Sequence, residues 1–493
     1  MIVRLILCVL VVFLGACGGA EEQQNGNTSS SVASSPAPKA ELPQDKDYEI
    51  SLTIPNAGVD TIFLAYYLGA KQYLKDTAFN VNGTYTFKGD SALPGGLYLA
   101  VIPPNNRYFD FVVNRDQHFS ISADTSDFAG SIQISGSEEN ELFYDHIRFL
   151  NTQREQATAL QEKMQGLEEG SPERTAIEEE LKALNGAVMQ ERKDLRANYS
   201  HMLTPKILTG SDAPEIPEAP EGAADDFAYQ YYKAHFFDHV SVDDGRLTRT
   251  PIMEQKVEEY LEKLVVQHPD SLIKEVDFII TTSMKDDEAF KYYTSYLLNK
   301  YAEKANKIMG MDGVYLHIVE KYYATNHAWW VDPEALEEII AKAEKLSPII
   351  IGRPGQDFTV PDVNGVNQSV FAVEADLLIL YFWDYDCGRC KKVTPQLAEL
   401  FPKYKDKGVE LFTVSINGSD EDWKAKLKEY GLDKSGGIHT ADPYRRSGFD
   451  QKYNINSTPK IFILDKDKII RYKWIGIDQL AEILDRELEK KES

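Results

Sequence analysis

The sequence predicts a multidomain protein in which a β-sandwich-like region, an all-α region and an α/β region follow one another. Three hydrophobic patterns indicate this order: apolar residues alternate with polar ones over 48–137, recur at helical spacing over 138–347, and form alternating strand-like and helix-like runs over 348–493. A leader at 1–16 and a polar tether at 17–47 precede these regions. A chain of 493 residues is long enough for about three domains of ordinary size.

The first residues have the layout of a bacterial export signal. One positive charge, Arg4, precedes an apolar core at Leu5–Leu14 that is too short to span a bilayer. The end of the leader, Leu14-Gly15-Ala16-Cys17, resembles the lipobox of bacterial lipoproteins, which implies cleavage before Cys17 and acylation of that cysteine. An ordinary secretory signal followed by a chance cysteine is the alternative. The tether is rich in Gly, Ser and Pro and lacks the apolar residues needed to fold.

The net charge of −25 at pH 7 argues against nucleic-acid binding, because phosphates would repel this chain. The same charge disfavours peripheral binding to anionic lipid headgroups. No apolar run after the leader approaches the roughly 20 residues that cross a bilayer. We therefore expect a protein of the cell envelope that contacts the membrane through its N-terminal lipid alone. The expected location is the outer membrane facing the periplasm, with surface exposure left open.

The region 48–137 contains about seven short runs in which every second residue is apolar. The alternating residues are Leu52, Ile54, Ile62, Leu64, Tyr85, Phe87, Tyr98, Ala100, Ile102, Phe109, Phe111, Val113, Phe119 and Ile121. Asn82-Gly83, between two strand-like runs, predicts a two-residue hairpin. Pro103-Pro104-Asn105-Asn106 predicts a second turn. Short strands at this spacing are typical of a small β-sandwich.

The region 138–347 carries apolar residues at helical spacing. Two long amphipathic helices are predicted to form a hairpin around Glu168-Glu169-Gly170, with Ser171-Pro172 as the N-cap and first residue of the second helix. The apolar stripes of these two helices contain Phe143, Ile147, Leu150, Leu160, Met164, Leu167, Ile177, Leu181, Leu184 and Val188. Further helices are predicted to start at Thr250-Pro251 and Asp332-Pro333.

Aromatic residues are dense in this helical region, at Phe227–Phe237, Tyr292–Tyr301 and Trp329-Trp330. Such clusters line binding grooves in some proteins, yet at helical spacing they more often form a core. His235 and His239 have the spacing of metal ligands on a helix, but no third ligand is near them in sequence. We therefore expect no metal site here.

The region 348–493 alternates strand-like and helix-like patterns. The strand-like run Leu377–Trp383 leads into a predicted helix at Cys387–Tyr404. Further strands are predicted at Val409–Ile416, Lys460–Leu464 and Ile469–Trp474, and further helices at Asp420–Tyr430 and Asp478–Lys490. Residues between a strand and the helix that follows it lie at a helix N-terminus, where the dipole favours negative charge.

Cys387 and Cys390 are the thiols that we expect in the mature protein, because Cys8 lies in the leader and Cys17 takes the lipid. A C-x-x-C pair at a helix N-terminus is typical of a redox site, in which the dipole stabilises the nucleophilic thiolate. Covalent haem attachment requires a histidine where Lys391 stands. A zinc site requires two ligands in addition to this pair. A disulfide that closes so short a loop contributes little to the stability of a fold. We expect no metal, and no cofactor other than the redox-active disulfide.

Motifs around this pair carry a family resemblance. They are Phe382-Trp383, Cys387-Gly388-x-Cys390-Lys391, Pro395, Tyr453-x-Ile455-x-Ser457-Thr458-Pro459, Ile461-Phe462-Ile463-Leu464-Asp465 and Gly352-x-Pro354-Gly355-x-Asp357-Phe358. In these motifs the region 348–493 resembles the thioredoxin superfamily, and in particular the tethered thiol-disulfide oxidoreductases of the TlpA/ResA type, here as a lipoprotein of Gram-negative bacteria. The resemblance implies a thioredoxin-like fold. It also implies that Thr458-Pro459, at the family's cis-proline position, faces the cysteines and contacts the partner.

The chain departs from the family at positions that assist proton transfer. The buried acid of thioredoxins would align with Tyr381, and the glutamate of some tethered relatives would align with Val393. We expect Asp384 or Asp386 to substitute, and both should raise the pKa of the first cysteine, whereas Arg389 should lower it. Because such neighbours set the reduction potential, neither its value nor the direction of electron flow follows from the sequence.

The sequence therefore predicts a lipid-anchored extracytoplasmic thiol-disulfide oxidoreductase. Cys387 should attack a partner disulfide and Cys390 should resolve the mixed disulfide. The partners would be protein thiols and disulfides of the cell envelope, together with an electron donor that the sequence does not name. The alternative is a ligand- or glycan-binding lipoprotein whose upstream regions hold the ligand and whose thioredoxin-like region is not catalytic.

Overall fold

Three regions of different secondary structure follow one another along the chain, which confirms the predicted fold class. The computed structural model describes residues 46–305 and 307–492. The predicted leader at 1–16, the predicted lipidation site Cys17 and nearly all of the predicted tether at 17–47 lie outside the described residues.

The first region is a sandwich of two four-stranded sheets, with strand orders β4-β1-β7-β8 and β3-β2-β5-β6. Its elements are β1 (Tyr48–Thr53), β2 (Thr61–Leu68), β3 (Lys71–Phe79), β4 (Thr84–Gly89), β5 (Gly96–Ile102), β6 (Arg107–Val113), β7 (His118–Ser122), α1 (Phe128–Ser131) and β8 (Gln133–Ser135). All of the alternating apolar residues named above are buried in one hydrophobic cluster. Burial of every second side chain therefore fixes which face of each strand points inward.

The turn at Asn82-Gly83 forms, but the predicted hairpin does not. Both turn residues have positive φ, at 54° and 83°, and Val81 bridges Thr84 across the turn. β3 then pairs with β2, whereas β4 pairs with β1 in the other sheet. A two-residue turn fixes only the local chain reversal, whereas the sheet that each strand joins is decided by packing. β4 buries Tyr85 and Phe87, whereas in β3 only the side chain of Ala78 is buried.

The second region is helical, as predicted. Its helices are α2 (Glu138–Met164), α3 (Pro172–Asn198), α4 (Thr204–Thr209), α5 (Phe227–Ala234), α6 (Pro251–Lys263), α7 (Pro269–Ser283), α8 (Asp287–Lys304), α9 (Met311–Ile318) and α10 (Pro333–Leu346). The Ser171 and Asp332 side chains cap α3 and α10 by accepting from backbone N–H groups in their first turns. Of the aromatic residues, Tyr293 and Tyr301 are fully buried, whereas Trp329 is 63% exposed.

A buried carboxylate joins the sandwich to the helices. Glu139, in α2, accepts hydrogen bonds from the Asn114 side chain at 2.6 Å and from the backbone N–H groups of Leu203 and Thr204 at 2.9 and 2.7 Å. The last two groups lie at the start of α4, where N–H groups lack partners within the helix. Glu139 is only 4% exposed, so its charge is compensated by these donors rather than by water.

The third region is built on a five-stranded sheet with the order β13-β12-β11-β14-β15. Its elements are β9 (Thr359–Pro361), β10 (Asn367–Ser369), β11 (Leu377–Trp383), α11 (Cys390–Leu400), α12 (Pro402–Lys405), β12 (Val409–Ser415), α13 (Asp420–Glu429), β13 (Ile438–Ala441), α14 (Phe449–Lys452), β14 (Lys460–Asp465), β15 (Ile470–Lys473) and α15 (Ile477–Glu492). β11 and β12 run parallel, and β14 runs antiparallel to β11. The seven side chains of β11 are all buried, so this strand forms the centre of the region.

The helix predicted at Cys387–Tyr404 differs from the one observed. α11 begins at Cys390, and the chain divides at Phe401 into α11 and α12. The division precedes Pro402, which has no N–H to donate to a carbonyl one turn earlier. The first cysteine therefore lies in the turn that leads into the helix rather than in the helix itself.

A buried ion pair joins the third region to the helices. The ammonium group of Lys473, in β15, contacts the carboxylate of Asp312, in α9. The same ammonium group donates to the Ile349 carbonyl at 2.9 Å. The two charged side chains are 3% and 1% exposed, so each depends on the other for compensation.

We expect Asp312→Ala to lower the free energy of unfolding by about 3–5 kcal/mol, because it leaves the Lys473 charge buried without its partner. The exposed helical pair Lys263–Glu259 provides the control, and Glu259→Ala should cost less than about 1 kcal/mol. Urea unfolding followed by tryptophan fluorescence measures both. Equal losses for the two variants would show that the buried pair contributes no more than a surface pair.

Candidate active site

The two cysteines that the sequence singled out lie where β11 leads into α11. β11 ends at Trp383 and α11 begins at Cys390, so Cys387 lies in the connecting turn. The backbone N–H of Lys391 donates to the Cys387 carbonyl at 3.0 Å, which continues the helical hydrogen bonding back to this residue. Both cysteines are free thiols; Cys387 is half-buried and Cys390 is fully buried. One sulfur is therefore accessible and the other is not.

The predicted partner-binding residues lie beside the accessible sulfur. The Cys387 sulfur lies 3.4 Å from the Thr458 carbonyl oxygen, with the thiol as donor. The peptide bond between Thr458 and Pro459 is cis. The structure thus brings Thr458-Pro459 beside the cysteine pair, although Cys387 and Thr458 are 71 residues apart in the chain.

Hydrogen bonds favour the thiolate form of Cys387. Partial burial alone would raise its pKa, but hydrogen bonds from the Cys390 backbone and thiol, from the Thr458 side chain and from the Arg389 backbone outweigh that effect. The Cys390 N–H lies 3.4 Å from the Cys387 sulfur. The pKa of Cys387 therefore lies below the usual thiol value, and this sulfur is suited to act as the nucleophile.

Cys390 has the opposite environment. Burial raises its pKa to about 12, although hydrogen bonds from the Asp384 backbone and the Thr458 side chain act in the other direction. Cys390 is consequently a neutral thiol near neutral pH. It is suited to a second step, after a bond to the neighbouring sulfur has changed its surroundings.

Tyr381 is a site residue that the sequence analysis did not include among its candidates. Its buried hydroxyl lies 2.8 Å from the Thr394 hydroxyl and also hydrogen-bonds to Cys390. Burial raises the pKa of Tyr381 well above its usual value, so the hydroxyl remains protonated. It can donate to a Cys390 thiolate but cannot take the proton of that thiol. The sequence feature that could have identified Tyr381 as a site residue is its alignment with the buried acid of thioredoxins.

The three charged residues predicted to tune Cys387 have other surroundings in the structure. The Asp384 carboxylate accepts from the backbone N–H of Asp386 at 2.7 Å and from the Asn417 amide at 2.6 Å. Asp386 and Arg389 are both exposed. Among the hydrogen bonds of the described residues, none joins these three side chains to either thiol. Their tuning of the first cysteine stays a prediction.

No group of three or more His, Cys, Asp or Glu side chains in residues 46–305 and 307–492 is arranged to hold a metal ion. Over the same residues, no helix combines the length and the apolar character needed to cross a membrane.

Comparison with known proteins identifies the family. A family model described as thioredoxin-like matches residues 375–470. The thiol-disulfide oxidoreductase ResA of Bacillus thuringiensis is 30% identical over 140 residues, which are 28% of this chain and 78% of that protein. The chain belongs to the thioredoxin-like thiol-disulfide oxidoreductases. Membership confirms both the predicted resemblance and the predicted enzyme class.

Further proteins, three of them named as thiol-disulfide oxidoreductases or interchange proteins, are similar to parts of this chain. ResA of Bacillus cereus is 31% identical over 156 residues, covering 30% of this chain and 82% of that protein. The thiol:disulfide interchange protein DsbE of Allochromatium vinosum is 26% identical over 137 residues, covering 27% and 70%. Among solved structures, a thiol:disulfide interchange protein from Bacteroides sp. is 25% identical with a TM-score of 0.27, covering 29% and 92%. A thioredoxin-like protein from Bacteroides caccae is 21% identical with a TM-score of 0.42, covering 56% and 97%.

The regions upstream of this oxidoreductase domain match families whose activity is not known. One model of a domain of unknown function, DUF4369, matches residues 48–143, in the β region. Another, DUF5106, matches residues 176–347, in the helical region. Neither description adds a reaction to the thiol chemistry.

We expect iodoacetamide to alkylate Cys387 well before Cys390 across neutral pH. The rate at Cys387 should rise with pH through a midpoint below the ordinary thiol value of 9.0, because only the thiolate reacts and its pKa is lowered. Cys390, whose pKa is about 12, should remain unmodified in the same range. Mass spectrometry of the two cysteine-containing peptides against pH measures this order, and equal labelling of both thiols in the folded protein would contradict it.

Proposed function

We propose that this oxidoreductase exchanges disulfides with extracytoplasmic partner proteins through Cys387 and Cys390. The contrast between the two thiols is the observation that carries the proposal. Cys387 is half-buried with a lowered pKa, whereas Cys390 is fully buried with a pKa of about 12. An accessible nucleophile paired with a protected thiol is what a two-step exchange requires.

In the reducing direction, the Cys387 thiolate attacks one sulfur of the partner disulfide. A bond forms between the two sulfurs, the partner's S–S bond breaks, and the other partner sulfur leaves as a thiolate that takes a proton from water. Cys390 then loses its proton to water and attacks the Cys387 sulfur, which expels the remaining partner sulfur. Two electrons have passed from the enzyme dithiol to the partner, and the reverse direction uses the same atoms. No cofactor beyond the Cys387–Cys390 disulfide enters these steps.

Thr458-Pro459 supports this proposal as the contact surface for the partner. Thr458 lies just before β14, and its carbonyl oxygen is 3.4 Å from the Cys387 sulfur. The backbone of this segment, which precedes β14 and lies beside the sulfur, can pair with an extended partner segment as an added strand. The proposed roles of Thr458 and Pro459 are therefore to hold the partner's cysteine near the sulfur without taking part in electron transfer.

The proposed location is the cell envelope, with a lipid on Cys17 as the only membrane attachment. The leader at 1–16 and the tether at 17–47 support this location by their sequence patterns. Outer-membrane anchoring facing the periplasm is part of the proposal, as are domain boundaries at 48–137, 138–347 and 348–493. Protein thiols and disulfides of that compartment would be the partners.

We expect Cys390→Ser to arrest the cycle at the mixed disulfide, because the resolving thiol is gone. Incubation with an envelope extract should give adducts that dithiothreitol releases, and insulin reduction by the variant should be abolished while the wild type turns over. The double variant Cys387→Ser/Cys390→Ser is the control, and it should give no adducts.

Two outcomes would overturn the exchange mechanism. Equal adducts from the single and double variants would mean that capture does not depend on Cys387. No adducts, together with no insulin reduction by the wild type, would favour the alternative of a ligand- or glycan-binding lipoprotein with a non-catalytic thioredoxin-like region.

We expect Cys17→Ser to move the protein from the membrane fraction to the soluble fraction, because it removes the proposed acylation site. Fractionation with immunodetection, and the mass of the processed N-terminus, measure the change. Wild type that is already soluble would rule out the lipid. A variant that stays membrane-bound with its leader uncleaved would mean that the leader itself is the anchor.

A further inference from the structure

Two buried hydroxyl groups contact each other between β11 and α11. Alternate residues of a strand face opposite sides of its sheet, and Tyr381 and Trp383 of β11 pack in one apolar cluster with Cys390. The Tyr381 hydroxyl lies 2.8 Å from the hydroxyl of Thr394, in α11, and neither residue is exposed to solvent. Because water does not reach these two groups, their protons need acceptors within the protein.

α11 places Cys390 beside this hydroxyl pair. Cys390 and Thr394 are four residues apart in α11 and both are buried, so their side chains are neighbours on one face of the helix. The Tyr381 hydroxyl, which contacts Thr394, also hydrogen-bonds to Cys390. A hydroxyl has one proton to donate and can accept another. When Tyr381 donates to the Cys390 sulfur, Thr394 can therefore donate to the Tyr381 oxygen.

The second step of the exchange needs such a donor. Cys390 must become a thiolate before it can attack a sulfur, and its side chain is fully buried. A buried negative charge is costly unless hydrogen bonds compensate it. The Asp384 backbone and the Thr458 side chain supply two hydrogen bonds to this sulfur, and the Tyr381 hydroxyl supplies a further one.

The two carboxylates that the sequence predicted to assist here have other surroundings. The Asp384 carboxylate accepts from the Asn417 amide at 2.6 Å, and Asp386 is exposed whereas Cys390 is buried. The hydroxyl of Tyr381 is thus the side-chain group of β11 that reaches Cys390, and it is neutral.

We propose that the Tyr381 hydroxyl is a catalytic hydrogen-bond donor that stabilises the Cys390 thiolate, with Thr394 as the residue that positions it. The proposal rests on the proposed exchange function and adds a catalytic residue to it. In the reducing direction Cys390 loses its proton to water, and its thiolate attacks the Cys387 sulfur of the mixed disulfide. A bond forms between these two sulfurs, and the bond from Cys387 to the partner sulfur breaks. Tyr381 keeps its own proton throughout, so it acts as a donor and not as a base.

The same hydrogen bond serves the oxidising direction. There a partner thiolate attacks the Cys387 sulfur of the enzyme disulfide, and Cys390 leaves as a thiolate. The Tyr381 hydroxyl would then stabilise the charge that develops on the leaving sulfur. The first attack in the reducing direction uses only the Cys387 thiolate, so it should not depend on Tyr381.

The test measures the two steps of the reducing direction separately. A peptide whose single cysteine carries a 2-pyridyl disulfide is mixed at pH 7 with an excess of the reduced full chain. Release of pyridine-2-thione, followed by absorbance, reports the attack by Cys387. Release of the peptide thiol, followed by mass spectrometry of acid-quenched samples, reports resolution by Cys390. Cys387→Ser gives the background from other thiols, and Cys390→Ser should show the first release without the second.

We expect Tyr381→Phe to slow resolution about three- to tenfold and to leave the first attack unchanged. Loss of one hydrogen bond to a charged group lowers the thiolate fraction about ten- to a hundredfold. The greater nucleophilicity of a more basic thiolate offsets about half of that loss on a logarithmic scale. Thr394→Val should slow the same step by a smaller factor, because Tyr381 then keeps its proton but loses the group that orients it.

The matched control is Tyr404→Phe. It removes another buried tyrosine hydroxyl from the same apolar cluster, and that hydroxyl contacts the Ala481 carbonyl at 3.4 Å. Both rates should stay at the wild-type values in this variant. The unchanged first attack in Tyr381→Phe serves as the second control, because a damaged fold would slow both steps.

Three results would overturn the role of Tyr381. Resolution at the wild-type rate in Tyr381→Phe would do so and would leave the exchange mechanism standing. Equal slowing of attack and resolution in that variant would show a general effect on the fold rather than one on Cys390. If the wild type releases no pyridine-2-thione above the Cys387→Ser background, or if Cys390→Ser releases the peptide as fast as the wild type, the exchange mechanism fails and the role of Tyr381 fails with it.

Discussion

The pairing of β11 with β14 is the constraint on which the exchange site depends. β11 is the middle strand of five and is buried on both faces, so a slip in its register would carry apolar side chains out of the core. In the observed register Phe382 lies opposite Lys460, which places Thr458-Pro459 beside the turn that carries Cys387. The same turn leads into α11, whose first residue, Cys390, is buried in the core. The register of the sheet therefore also determines which thiol is accessible.

Several of the long periodic segments of this fold were predicted from sequence, although α7 and α8 were not. β11 has the predicted bounds, and α3 begins at Pro172 as Ser171-Pro172 indicated. Short elements such as β13 (Ile438–Ala441) were missed because four residues carry too little periodicity to be recognised. The fate of the strands around Asn82-Gly83 was missed for a different reason: a turn is a local feature, whereas sheet membership depends on packing between distant residues.

The candidate site also has features that the sequence predicted and features that it did not. Cys387, Cys390 and Thr458-Pro459 followed from spacing and family resemblance, because these residues form motifs. The lowered pKa of Cys387 owes much to backbone N–H groups, which every residue has and which composition therefore cannot reveal. The contact of Lys460 with Trp474 forms only when β14 and β15 pair, so no local sequence pattern predicts it.

The buried pair of Lys473 and Asp312 has a consequence for how this enzyme can evolve and be rebuilt. A different docking of the redox region on the helices would separate the two charges, so the pair favours the observed orientation even if it adds little to overall stability. The pair thereby also favours one orientation of Cys387 relative to the upstream regions. If the redox region were exchanged for that of a relative without a lysine at this position, that orientation would no longer be favoured, unless Asp312 were changed at the same time.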